Sequence, residues 1–74
     1  SKKEKVLENL SSVNNIFDFE HSVFSALDSL EIDSSFFSDS MNELRAIIES
    51  AEDKFSALDE VDIEDVLNRI EALA

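Results

Sequence analysis

Residues 37–58 read FSDSMNELRAIIESAEDKFSAL, and their reading decides the fold class. Phe37, Met41, Leu44, Ile48, Ala51, Phe55 and Leu58 recur at intervals of four and three. That spacing lays one apolar stripe along a single helix face, with acids and serines around it. It predicts a helix over about 34–58. An amphipathic helix owes most of its stability to a partner that covers its stripe, so the rest of the chain has to supply that cover.

Upstream, Glu31-Ile32-Asp33-Ser34-Ser35 gathers capping residues and predicts a turn. Before it, Phe19, Val23, Phe24, Leu27 and Leu30 predict a helix over about 18–31, capped by Asn15 or Asp18. Earlier still, Val6, Leu10, Val13 and Phe17 form a narrow seam on a helix over about 2–14, opened by a capping box of Ser1 with Glu4. Asn14-Asn15 and Asp18 are read as the break between these two helices. The alternative is one continuous helix from about 2 to 31, because Ile16, Phe19, Val23, Ala26 and Leu30 also keep a seam. Lysines in the first turn oppose the helix dipole, which suits a helix continuing from upstream.

Downstream, Asp59-Glu60-Val61-Asp62 breaks the long helix. Asp62 suits an N-cap, and Ile63, Val66, Leu67, Ile70 and Leu73 predict a last amphipathic helix over about 62–74. Asp65 and Arg69 are spaced as an i,i+4 ion pair with the acid first. Short connections imply antiparallel neighbours. The expected fold is therefore all-α: one small antiparallel bundle of three or four helices over residues 1–74, or helices folding back along a coiled coil.

Composition narrows the function classes. The chain has no glycine, proline or cysteine. A tight phosphate-binding loop uses glycine to reach positive φ, so no such backbone is expected. Hydrophobic residues make up 43% of the chain, too many for a disordered tail. All six aromatics are Phe, which packs without a polar handle. The net charge is −12, and residues 6–74 hold three bases against 17 acids, a balance of −14. Such a field repels nucleic-acid backbones and anionic membranes, so the expected partners are proteins, a second copy included. No apolar run approaches a membrane span. The lack of cysteine excludes a disulfide scaffold and fits a cytoplasmic home. The chain starts without Met and stops in mid-pattern at Ala74, as a segment excised from a longer protein would.

No catalytic, cofactor or metal site is expected. Asp59, Glu60, Asp62, Glu64 and Asp65 cluster, but Val61 and Ile63 fall on the alternating positions a calcium loop needs, and its glycine is missing. They are read as a solvated turn and an acidic helix start. His21, the one histidine, has no second His or Cys to make a metal site or nucleophile pair, and is read as a helix-flank residue beside Glu20. Phe37 and Phe55 are read as core. Phe36 points partly away, and with Phe17 or Phe19 would mark a contact surface.

The stretch Asp59-Glu60-Val61-Asp62-Ile63-Glu64-Asp65-Val66-Leu67-Asn68-Arg69-Ile70 resembles a recurrent piece of the bacterial DNA repair protein RecN, an SMC-like ATPase whose head is split by a long coiled-coil arm. Asp59 matches the family's aspartate, Ile63 and Val66 its apolar positions, and Arg69-Ile70 its closing pair. Phe24 to Leu30 with Asp33-Ser34-Ser35, and the helix from Met41 to Leu58, resemble the preceding parts of that arm. Glu60 stands where the family usually has proline, and the basic stretch that comes next in the family is absent. The resemblance implies a non-catalytic arm segment of an ATPase of double-strand-break repair, acting as spacer and protein-contact surface. ATP and magnesium would be bound elsewhere in the parent protein, and no family catalytic residue carries over. The alternative is an independent acidic adaptor whose apolar groove takes a basic amphipathic helix of a partner.

Overall fold

The computed structural model describes residues 1–32 and 37–73, and of residues 37–40 only the backbone. Four helices come in order: α1 (Lys2–Ser11), α2 (Ile16–Ser29), α3 (Phe37–Ser56) and α4 (Ile63–Glu71). The described residues contain no strand. The molecule measures 34 × 28 × 18 Å. Phe36, the side chain of Phe37, and the part of the expected turn at residues 33–35 lie outside the described residues.

The caps explain where the helices start. Ser1 Oγ accepts the Glu4 backbone N–H at 3.3 Å. Asn15 sits extended, and its Oδ1 accepts the Asp18 N–H at 2.9 Å while its Nδ2 donates to the Asp18 carboxylate at 2.8 Å. Asp62 Oδ1 accepts the Asp65 N–H at 3.2 Å. Each cap satisfies a backbone donor that the helix itself leaves orphaned.

The ends depart from the expected ranges. α1 stops at Ser11 rather than 14, because Ser11 Oγ and Ser12 Oγ donate to the carbonyls of Leu7 and Asn9 at 2.6 and 2.9 Å. Those hydroxyls compete with the helical ladder, and Asn15 then opens α2 three residues earlier than a cap at Asp18 would. Residues 2–31 thus form two helices. α3 ends at Ser56 rather than 58, and α4 at Glu71 rather than 74.

A glycine-free chain is expected to avoid positive φ, and at two of the described residues this one does not. Glu31 and Leu58 adopt φ of 58° and 57°. After α2, the Ile32 N–H reaches the Leu27 carbonyl at 3.0 Å and the Glu31 N–H reaches Asp28 at 3.1 Å. After α3, the Asp59 N–H reaches Lys54 at 2.8 Å and the Leu58 N–H reaches Phe55 at 3.2 Å. Both are Schellman ends, in which a left-handed residue lets two amides satisfy the last carbonyls. The hydrogen bonds hold a conformation that costs an ordinary L-residue roughly 1–2 kcal/mol.

The core draws on all four helices: Val6 and Leu10; Phe19, Val23, Ala26 and Leu27; Leu44, Ile47 and Ala51; Val66, Leu67 and Ile70. No polar or charged side chain among the described residues is buried. Phe19 is fully enclosed, and its ring meets that of Phe55 edge-on, with centroids 5.8 Å apart. Such a pair adds about 0.5–1.5 kcal/mol to the burial itself. α2 and α4 each touch the three other helices, and α1 packs on α2 and α4. Early residues of one helix meet late residues of the next, as Phe19 meets Phe55, so neighbours run in opposite directions.

Several stripe residues are placed differently from expectation. Phe17 is 80% exposed and Phe24 42%, so the α2 core face runs through Phe19, Val23, Ala26 and Leu27. On α3 the buried residue is Ile47, with Ile48 half-buried; Met41 is 43% exposed and Leu58 95%. Asp65 and Arg69 form no ion pair; among the described residues the pairs between side chains join Lys2 to Glu31 at 3.5 Å and Lys3 to Glu71 at 2.9 Å. The first-turn lysines of α1 therefore sit by the C-terminal ends of α2 and α4, where helix dipoles favour a cation. No helix of the described residues is long and apolar enough to cross a membrane.

Candidate protein-binding cleft

A partly apolar concavity lies where the end of α1 meets the turn between α3 and α4. Leu10, Val13, Phe55, Val61 and Ile63 form an apolar floor, and Ser11 and Asn14 stand on one bank. Its volume is 390 Å³. It continues past Val61 into a second depression bounded by Leu7, Ser11, Asp62, Ile63 and Glu64. Leu10 is buried, whereas Val13, Phe55, Val61 and Ile63 are only half-covered by the bundle. Exposed acids border both depressions, Asp59 and Glu60 the first and Glu60, Asp62 and Glu64 the second.

Local chemistry sets this border. Asp59 Oδ1 accepts the Glu60 N–H at 2.8 Å, and Asp62 caps α4. Two of the clustered acids are thereby engaged with backbone donors. Val61 lies between them and packs against the core. Leu58 stands at the rim with its side chain in solvent. An apolar floor flanked by fixed carboxylates suits an apolar helix face with cations along its edges.

The other candidate residues of the sequence do not assemble into chemistry. His21 is exposed and lines a separate depression with Asp18, Ser22 and Ser25. No hydrogen bond joins His21 to any of them, and the Asp18 carboxylate is bonded to Asn15. Among the described residues no group of three or more His, Asp or Glu side chains is placed to hold a metal ion.

Periodicity alone does not reveal the cleft. It puts Leu58 on the α3 stripe and Ile63 on the α4 core face, and it does not bring Leu10 and Val13 to the α3–α4 turn. The one signal within the sequence is the alternation of Val61 and Ile63 with acids, which argues against calcium binding but equally describes an apolar floor with a charged edge. Comparison of the chain with protein-family models, with curated proteins and with solved structures finds no match in any of the three.

Proposed function

We propose that this chain is a non-catalytic protein-interaction module whose cleft receives a basic amphipathic helix. The observation that carries the reading is the half-covered floor of Val13, Phe55, Val61 and Ile63 beside the exposed acids Asp59, Glu60, Asp62 and Glu64. Burial of the floor supplies affinity at roughly 25 cal/mol per Å² of apolar surface, before the costs of association. The acids select a cationic partner and speed its approach, as does the net charge of −12.

The test uses an 18-residue model peptide with leucines at i, i+3, i+4 and i+7 and lysines elsewhere, and a scrambled peptide of the same composition. Titration into the isotope-labelled chain should shift the amide signals of Leu10, Val13, Val61 and Ile63 saturably for the first peptide alone. An equal response to both peptides would show charge attraction without a cleft, and the reading would fall.

A second reading places the bundle within the arm of a RecN-like repair ATPase, as a cytoplasmic spacer and contact surface. It is supported by the pattern from Asp59 to Ile70 and by one geometric fact. Lys3 near the start of α1 bonds Glu71 at the end of α4, so the chain enters and leaves side by side. A bundle carried between the two strands of an antiparallel coiled coil needs that arrangement. Sequencing the parent gene tests it: a phosphate-binding loop upstream, with an ATPase signature loop and Walker B strand downstream, is the expected result.

A further inference from the structure

Leu58 breaks two rules at one position. Its backbone is left-handed, which the Cβ of any L-residue resists. Its apolar side chain is 95% exposed, so no packing offsets that strain. Two hydrogen bonds, Leu58 N–H to Phe55 and Asp59 N–H to Lys54, fix the backbone on either side. The side chain is thus presented by the turn at the rim of the cleft, next to the floor residue Phe55. The hydrogen bonds hold the backbone here as they do at Glu31, and what the fold leaves without a role is the apolar side chain set in solvent, a local conflict that points to function.

We infer that Leu58 is the anchor with which the cleft grips its partner, a helix with one apolar stripe and lysines or arginines along both edges. The inference rests on the cleft's role as a docking site and adds the residue that decides affinity. The partner's stripe covers the floor and closes over Leu58, while its cations face Asp59, Glu60, Asp62 and Glu64. Charge selects this occupant over a second copy of the chain, because two such acidic borders repel each other. The hydrogen-bonded turn fixes the backbone that presents Leu58, so binding has only its side chain left to order.

The experiment compares the full chain with Leu58→Gly, Leu58→Asn and Glu31→Gly. Each is measured by fluorescence anisotropy against the labelled leucine–lysine peptide and by urea denaturation. Glycine relieves left-handed strain at both turns, and asparagine tolerates that region while removing the apolar group. Leu58→Gly should raise the denaturation midpoint and weaken peptide binding about tenfold or more. Leu58→Asn should weaken binding alike, and Glu31→Gly should raise the midpoint with binding unchanged. Binding by both Leu58 variants at the wild-type Kd would overturn the anchor and leave the cleft standing. A parallel fall of midpoint and affinity would make Leu58 a structural residue and also overturn it. If the wild-type chain does not bind the peptide, cleft and anchor fall together.

Discussion

α2 and α3 stop with the same hydrogen-bond pattern, at Glu31 and at Leu58, yet the side chains at and after each stop are arranged differently. After α2 the left-handed residue is charged and exposed, and the next residue, Ile32, folds back against the core. That is the ordinary form of such an end: polar side chain outward, apolar neighbour inward. After α3 the order is reversed. The left-handed residue is an exposed leucine, and the next residue is the exposed Asp59. The α2 end closes the bundle, whereas the α3 end leaves apolar surface uncovered beside a cleft. Backbone geometry alone does not distinguish a structural turn from a presenting one; the placement of apolar and charged side chains around it does.

Four measurements put the contrast between the two ends at risk. The ring pair lies at the α3 end alone, where Phe19 from the start of α2 meets Phe55. Phe19→Ala should cost about 3–5 kcal/mol, read by urea denaturation, and loosen the α3 end beside Phe55 more than the distant α2 end. Ile32→Ala should cost about 1–2 kcal/mol because Ile32 secures the α2 end, whereas Asp59→Ala should stay within about 0.5 kcal/mol. Equal losses at these two sites would erase the contrast. Leu58→Gly and Glu31→Gly should each stabilise by about 0.5–1 kcal/mol, the strain relieved less the added freedom of an unfolded glycine. Lys2→Ala removes an exposed ion pair at 3.5 Å from Glu31 and should change stability by less than about 0.5 kcal/mol. A larger loss would mean that the α2 end is held by charge rather than by Ile32.

The all-α class, a break near Asn14-Asn15, the turn at 59–62 and the capping roles of Ser1 and Asp62 are legible in the sequence, because they arise from short-range chemistry; the choice of Asn15 over Asp18 as cap, and the early stop of α1 at Ser11, are not. The rotation of each stripe is not legible either. A repeat of four and three averages 3.5 residues, and on a straight helix of 3.6 residues per turn it drifts about 20° every heptad. On α3 the buried Leu44, Ile47 and Ala51 fall within about 60° of one another, with Met41 and Ile48 on the flank, so the core face is turned toward Ile47 by a rotation that only the packing decides. Joining Phe17 to Val6 and Leu10 means counting across a break, which resets the helical phase. The cleft is illegible for a different reason. It needs Leu10 and Val13 to meet Val61 and Ile63 across most of the chain, and it needs a positive φ from a residue that gives no local sign of adopting one.

The bond between Lys3 and Glu71 has a mechanical consequence. Tension applied through the two ends loads that contact first. It then peels α4 from α1, one contact after another, instead of sliding all the packed faces at once. A bundle gripped in this way opens like a zipper and yields at low force, and the force at which it yields reports its unfolding rate rather than its equilibrium stability. Once open, 74 residues extend to roughly 250 Å. Within a longer chain under load, the domain would act as a reserve of slack that releases before stiffer neighbours are strained.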